Sequence, residues 1–346
     1  MAFYEVTRAC DLACRHCRAC AQVHRDPAEL TTAQGVALLE DLAGFEDRPQ
    51  VVLTGGDPVR RPDLPELVAR ASELGLRPAV ALSTTPRVTR ERIERLQEEG
   101  LTALAVSLDG VDEATHRRLR QVPSTFERAL RILADARELG LPTQVNTTIT
   151  RDNVDQVDAM AELLGTLGIK RWSVFFLVPT GRGGLLARIS PADYERVFER
   201  LMVQSRQQPY LIKTTEAPFY RRYVIERSGD PMLSAARMKM GVNDGRGVVF
   251  ISHVGEINPS GFLPIDCGRF PDSSVVDVYR HHELFQALQD PDRLRGKCGV
   301  CPYRRVCGGS RSRAYAVTHD VLASEPDCAY VPPLAVRSLS KDADHV

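Results

Sequence analysis

Six short apolar runs, at 3–7, 50–53, 78–82, 103–107, 143–148 and 172–178, alternate with helix-like stretches at 32–43, 64–74, 90–99, 126–139 and 154–167, an order that leaves the chain few folds. Strands joined by helix-length connections pair in parallel, with right-handed crossovers. Six such units predict an α/β protein built on a parallel sheet whose strands are buried on both faces. Ser124 and Glu127 have the spacing of a capping box, and Gly75, Gly100, Gly140 and Gly168 mark helix ends. Sheets of this kind bind ligands at the carboxyl ends of their strands, so the residues just beyond each run are the ones to read for chemistry.

Beyond the first run stand Cys10, Cys14 and Cys17, spaced C-x3-C-x2-C. With nine cysteines in the chain, chance supplies this spacing about 0.006 times. Three thiolates are one short of the four that hold a [4Fe–4S] cluster. A metal site with an open position is suited to catalysis, by the logic that separates catalytic from structural zinc. Other strand ends carry Thr54-Gly55-Gly56-Asp57-Pro58, Ser107-Leu108-Asp109-Gly110 and Val145-Asn146-Thr147-Thr148. The turn Pro179-Thr180-Gly181-Arg182-Gly183-Gly184 reads as flexible rather than as a phosphate loop, because no Lys-Ser/Thr follows it.

A second group, Cys298, Cys301, Cys307 and Cys328, follows a predicted strand, turn and strand between 248 and 258. Four thiolates close a cluster completely. The alternative for these spacings is a structural zinc knot. Cys20 and Cys267 are surplus to both groups and read as buried or redox-sensitive thiols. Trp172 is most simply core. His253, Glu256 and Arg311 are candidates for facing a substrate, although isolated polar residues on hairpins usually face water.

Forty-five basic residues balance 45 acidic ones, so no nucleic-acid or membrane surface is expected from net charge. The start lacks a charged segment leading into an apolar stretch, and no run of 18 apolar residues occurs. A cytoplasmic location is expected. In a reducing compartment the cysteines are better read as metal ligands than as disulfides.

The triplet, the Gly-Gly-Asp-Pro segment and the polar strand ends together resemble the radical S-adenosylmethionine (radical SAM) superfamily. The resemblance implies a partial (β/α)6 TIM-like barrel whose Cys10, Cys14 and Cys17 bind three irons of a core [4Fe–4S] cluster, with S-adenosylmethionine on the fourth. It places the cosubstrate against Gly55, Gly56, Asp57, Pro58, Ser107, Asp109, Asn146, Thr148 and Val178, with the glycines admitting close approach and Asp57 accepting from the methionine ammonium. One-electron cleavage of the sulfonium then yields methionine and a 5′-deoxyadenosyl radical that abstracts hydrogen. The run from Cys307 to Ala316 resembles a SPASM/twitch-like C-terminal domain, here with Cys298, Cys301, Cys307 and Cys328 for one auxiliary [4Fe–4S] cluster. Arg311 stands near a position where a further ligand is usual. The expected divisions are a core at 1–190, a helical bridge at 191–240, an auxiliary-cluster domain at 241–335 and a tail at 336–346.

Cys14-Arg15-His16-Cys17 and the Cys307–Ala316 run look most like the branch of alternative haem and denitrification-haem biosynthesis. That implies a tetrapyrrole side chain as substrate, an oxidised product and an electron donor such as flavodoxin or ferredoxin. A maturase of ribosomally made peptides is the alternative, and the stretch before Cys10 has no room for a fused leader-binding module. A metal-stabilised binding scaffold is the non-enzymatic alternative.

Overall fold

The computed structural model describes residues 1–229, 241–333 and 335, so the last part of the expected bridge (230–240) and the tail (336–346) lie outside the described residues. Nine strands form one sheet, in the order β7-β6-β5-β4-β3-β2-β1-β8-β9. They are β1 (Ala2–Thr7), β2 (Gln50–Gly55), β3 (Arg77–Leu82), β4 (Ala103–Ser107), β5 (Thr143–Ile149), β6 (Arg171–Phe176), β7 (Leu211–Thr215), β8 (Val249–Ile251) and β9 (Ile257–Asn258). All pairs are parallel except β8 with β9. Among the described residues β7 and β9 have no further strand beside them, and the sheet is an open, partial barrel with helices outside.

The six expected strands are present, as are the strand, turn and strand expected between 248 and 258 (β8 and β9), and the structure adds β7, which the apolar runs did not reveal. β7 is an edge strand with no fully buried position, so Leu-Ile-Lys-Thr-Thr carries no apolar run. β8 joins β1 in parallel and turns back as β9, which continues the sheet beyond the cysteine-loop side.

One face of each strand packs under the helices. Tyr4, Val6, Leu53, Val80, Val106, Val145 and Trp172 sit in the main core with Leu38, Leu39 and Leu67 of α1 (Thr32–Leu42) and α2 (Leu64–Glu73). The Trp172 indole N–H is donated to Thr147 Oγ1 at 2.8 Å, which satisfies its one polar group. The other face corrects the expectation of strands buried on both sides. It carries Ala79, Ala81, Ala103, Ala105, Gln144 and Asn146, and these line an internal cavity of about 1090 Å³. Barrels of this size usually fill their interior with Val, Ile and Leu. Here four alanines leave it open.

Helix ends follow the sequence with one exception. Thr31 and Gln34 form a reciprocal capping box on α1, and Gly75, Gly100, Gly140 and Gly168 take left-handed conformations at helix ends. Ser124, however, is itself left-handed and its side chain caps nothing on α5 (Thr125–Glu138). Glu113 of the preceding helix α4 (Glu113–Arg120) does that work, accepting the N–H groups of Ser124 at 2.7 Å and Phe126 at 3.1 Å. A remote carboxylate has taken over the orphan donors. α4 itself escaped the apolar reading because Leu119 is its one buried aliphatic side chain.

Candidate active site and second cysteine cluster

The loop that leaves β1 is closed on itself before it carries its cysteines. Cys10 N–H is donated to the Gln22 carbonyl (2.8 Å) and Gln22 N–H to that of Arg8 (3.0 Å). The end of β2 lies directly against this loop, with Gly56 N–H on the Thr7 carbonyl and Asp57 N–H on that of Ala9, both at 2.8 Å. A Cβ on Gly55 would meet the Thr7 carbonyl oxygen at 2.1 Å, and one on Gly56 the Ala9 oxygen at 2.4 Å. The two glycines are therefore required for backbone-to-backbone packing beneath the cysteine loop, in addition to whatever ligand approach they permit.

A second clamp comes from 179–184, which is not a flexible turn. It forms a short 3-10 helix, Gly181–Leu185, packed so tightly that a Cβ on Gly181 would lie 2.3 Å from the Arg18 carbonyl oxygen. Arg182 donates Nε to the Cys14 carbonyl (2.8 Å), Nη1 to that of Ala21 (3.0 Å) and its backbone N–H to that of Cys17 (3.0 Å). Sequence reasoning missed Arg182, because nothing local to it signals a partner some 160 residues away.

All three thiols line the cavity, and all nine cysteines are free. Each sulfur of the triplet receives one donor: Leu12 N–H to Cys10 Sγ (3.4 Å), Ala21 N–H to Cys17 Sγ (3.4 Å) and Arg120 Nη1 to Cys14 Sγ (3.7 Å). Burial pushes the Cys10 thiol up to about 11 despite its hydrogen bonds, and burial also raises Cys14 against the charge of Arg120. Thiolates form in such a place when a cation displaces the proton, as metal binding does. The donor set fits an iron–sulfur cluster with one open position.

Arg120 reaches Cys14 because Asp109 holds it. Arg120 Nη2 and Nε are both 2.7 Å from Asp109 Oδ2, and Thr148 N–H is donated to Oδ1 at 2.7 Å. Asp109 N–H is in turn donated to Nδ1 of His116 (3.0 Å), and Asn153 Nδ2 is donated to the Asp109 and Thr148 carbonyls (both 2.9 Å). Burial alone would raise the Asp109 carboxyl, but the Arg120 charge, followed by His16 and His116, holds it below the usual range. Burial drives the His16 and His116 imidazoles down to about 4, so both are neutral at pH 7.

Of the residues expected to meet the cosubstrate, Gly55, Gly56, Ser107, Asn146, Thr148 and Val178 line the cavity. Asp57, Pro58 and Asp109 are buried behind its wall. Asp57 accepts from Thr85 Oγ1 at 2.6 Å, and burial raises its carboxyl to about 6 against that hydrogen bond. Asp109 spends both carboxylate oxygens on Arg120 and Thr148. Asp109 thus organises the strand ends, whereas Asp57 keeps Oδ1 buried without a hydrogen-bond partner among the described residues.

Cys298, Cys301, Cys307 and Cys328 line a second, much smaller pocket of about 20 Å³. Glu325 N–H is donated to Cys298 Sγ and Gly309 N–H to Cys307 Sγ, each at 3.3 Å. Burial raises the Cys328 thiol to about 11 and lifts Cys307 further. Among the described residues no three Cys, His, Asp or Glu side chains draw together tightly enough to grip a single ion. Each sulfur group surrounds a space rather than a point.

Arg311 is not turned toward a substrate. It is buried, with Nη1 on the Val321 (3.0 Å) and Ala323 (2.7 Å) carbonyls and Nη2 3.9 Å from Cys298 Sγ. Arg313, on the same helix α12 (Arg311–Thr318, the twelfth among the described residues), crosses to the barrel. It pairs with Glu325 at 3.2 Å and donates to the carbonyls of Phe176, Leu177 and Glu216. His253 is buried against Glu5 (2.9 Å), while Glu256 pairs with Arg269 at the surface. Burial would raise Glu5, but the His253 hydrogen bond and the Arg18 and Arg8 charges bring it to about 2. Cys267 is buried away from the second pocket, its thiol pushed up to about 12 by burial, and Cys20 is exposed.

Residues 4–164 match the Radical SAM superfamily. The chain is 36% identical over 336 residues to an AdoMet-dependent heme synthase of Methanosarcina barkeri, covering 95% of this chain and 96% of that protein. It is 37% identical over 338 residues to an AdoMet-dependent heme synthase of Nitratidesulfovibrio vulgaris, covering 95% and 92%. A PqqA peptide cyclase of Methylorubrum extorquens is 28% identical over 346 residues, covering 98% and 87%. Among solved structures, Streptococcus suis SuiB bound to S-adenosylmethionine superposes with a TM-score of 0.73 at 18% identity, covering 95% of this chain and 77% of that one.

Proposed function

The chain belongs to the radical SAM superfamily, and from that membership we propose that it oxidises a side chain of a tetrapyrrole, with Cys10, Cys14 and Cys17 holding the core [4Fe–4S] cluster. The observation that carries the reading is the placement of these three thiols at one end of a 1090 Å³ cavity, in a chain 36–37% identical over its length to heme synthases. Relatives that act on peptides match at 28%, which favours the tetrapyrrole. A metal-stabilised scaffold leaves the cavity and the converging strand ends without a purpose.

When bound, the clusters and S-adenosylmethionine would supply an electron, a 5′-deoxyadenosyl radical that takes one hydrogen from the substrate, and a path for the electron the substrate gives up. Cys298, Cys301, Cys307 and Cys328 are assigned to an auxiliary [4Fe–4S] cluster; their four-thiol set around one small pocket supports this. Gly55, Gly56, Asp57, Pro58, Ser107, Asp109, Asn146, Thr148 and Val178 are assigned to the cosubstrate; six of them line the cavity, and Asp57 has an unpartnered Oδ1 among the described residues, which supports this. Arg120 fixes Cys14 and places positive charge beside its sulfur. Arg182 and the Gly55–Gly56 backbone keep the loop in one shape, so that orientation is in place before any ligand arrives. The remainder of the reading is a core at 1–190, a bridge at 191–240, an auxiliary domain at 241–335, a flavodoxin- or ferredoxin-type donor and a cytoplasmic setting. No helix among the described residues is long and apolar enough to cross a membrane.

The test is anaerobic reconstitution followed by dithionite reduction with S-adenosylmethionine and iron coproporphyrin III. The expected result is 5′-deoxyadenosine together with a tetrapyrrole of lower mass, and neither from Cys14→Ala. Cosubstrate cleavage that leaves every tetrapyrrole unchanged would overturn the substrate.

A further inference from the structure

The inner wall formed by β6 and β7 carries two cations. Arg171, the first residue of β6, and Lys213 both line the cavity. Arg171 pairs in register with Leu211 and Ser173 with Lys213, so the two basic side chains lie on one face, two positions apart on neighbouring strands. Arg221, on α8 (Phe219–Ser228), lines the same space, anchored by Nη1 on the Val306 carbonyl (3.0 Å) and Nη2 on that of Val242 (2.8 Å). Among the described residues neither Lys213 nor Arg171 has a side-chain hydrogen bond or ion pair.

Two acids line the same cavity, Asp244 and Glu216, and neither pairs with these cations: Asp244 Oδ2 accepts the Arg311 and Ser312 N–H groups at 3.1 and 2.9 Å. Burial, followed by the charges of Arg171 and Arg221, lowers Lys213 from 10.5 to about 8, and no acid acts on it. Glu216 also lines the cavity, but it accepts the Ser310 hydroxyl (2.5 Å), and burial with the nearby Asp244 raises its carboxyl far above the usual range. Like charges gathered in one recess without a counter-ion disfavour one another. Such a group persists where an anion enters to compensate it.

Elsewhere the wall suits a flat, apolar body. The alanines of β3 and β4 leave room, Phe175 and Phe262 approach ring to ring at 6.2 Å, and Arg18 stacks over Phe250 at 4.6 Å. We propose that Lys213, Arg171 and Arg221 form a carboxylate-binding subsite that seats the acidic side chains of the substrate against the β6–β7 wall and thereby selects which side chain faces the cysteine end. The inference rests on the tetrapyrrole reading above and adds to it the groups by which the molecule is gripped. Arg171 lies at the amino end of its strand and the cysteine triplet beyond the carboxyl end of β1, so a ring with acids on several sides is held at one edge while another is presented.

The experiment titrates anaerobically reconstituted protein with zinc coproporphyrin III, a fluorescent tetracarboxylate, and with its tetramethyl ester. Lys213→Met and Arg171→Met are each expected to weaken the tetracarboxylate roughly 10- to 100-fold, the range for a lost charge-assisted contact. Lys213→Arg should restore most of the affinity. Ester binding should be weaker in the wild type and indifferent to Lys213→Met, and equilibrium dialysis should show S-adenosylmethionine binding unchanged. Circular dichroism and iron content confirm that each variant is folded and loaded. Equal affinity of wild type and both Met variants for the tetracarboxylate overturns the subsite and leaves the tetrapyrrole reading standing. Equal affinity of the wild type for acid and ester also overturns it. Loss of S-adenosylmethionine binding in folded variants assigns the cations to the cosubstrate instead, against the proposal. If the wild type binds neither porphyrin while still cleaving S-adenosylmethionine, the tetrapyrrole reading fails and the subsite with it.

Discussion

Cys10, Cys14 and Cys17 line a cavity of about 1090 Å³, whereas Cys298, Cys301, Cys307 and Cys328 line one of about 20 Å³. The sulfurs are treated alike in both places. In each set backbone N–H groups point at sulfurs, burial raises some of the thiols (Cys10 and Cys14 in one, Cys301, Cys307 and Cys328 in the other), and one arginine approaches one sulfur, Arg120 at Cys14 and Arg311 at Cys298. What differs is the number of thiols and the space beside them. Three sulfurs beside open volume leave a metal position and room for what would fill it; four around almost none leave neither. Reactivity here is a matter of what the fold withholds as much as of what it supplies.

The largest expected effect separates the two directly. Cys14→Ala should abolish 5′-deoxyadenosine, whereas Cys298→Ala should retain cosubstrate cleavage but lose the oxidised product. Iron should fall in both from about eight per chain to about four. Equal loss of cleavage in both variants would show that the second site is not separable from the first. Next comes the link between the regions. Arg313→Met breaks a fully buried pair with Glu325, and a loss of about 3–5 kcal/mol is expected in denaturant titration. A smaller effect would mean that the C-terminal region is held to the barrel mainly by apolar packing.

A finer comparison uses the two sulfur-facing arginines. Removing positive charge beside a cluster disfavours its reduced form, so Arg120→Met should lower the potential of the core cluster and Arg311→Met that of the auxiliary one. A shift of about 60 mV corresponds to tenfold in a one-electron equilibrium, and an EPR-monitored redox titration reads both. The smallest effect concerns Asp57. Its carboxyl is raised in the fold to about 6, so its ionisation opposes folding above that pH and the opposition fades as pH falls through 6 toward the unfolded value of 3.8. Asp57→Asn should therefore stabilise at pH 7, by up to about 3 kcal/mol, and make little difference at pH 4. Destabilisation at pH 7 would mean that the charged form is used in the apo protein.

What the sequence made legible was whatever is encoded within a few residues. Cysteine spacing is local, and so are the glycine stops. The outward faces of the strands were equally plain, because Val145 and Trp172 must be apolar to lie under helices. The inward faces were not, since small and polar residues facing a cavity break the apolar run without announcing why. Ser124 misled for a related reason: the spacing was right, but Glu113 of a helix with one buried aliphatic side chain had already claimed the donors. Asp57 and Asp109 were located correctly along the chain, yet their orientation depends on Thr85 and Arg120, brought close only by the sheet. Arg171 and Lys213 drew no notice, because a cation that begins a strand and another on an edge strand look like solvated charges until the barrel curves them inward.

The clamp made by Gly181 and Arg182 has a consequence for how the molecule comes into being. The cysteine loop leaves the ribosome well before the groups that hold Cys14 and Ala21 in place, which follow 168 and 161 residues later. Until β6 has been synthesised and docked, the three thiols hang on a strand that lacks its fastener. Iron delivered early would meet a loose peptide, and iron delivered late a finished socket, so the order of assembly is written into the distance along the chain between the ligands and their lock.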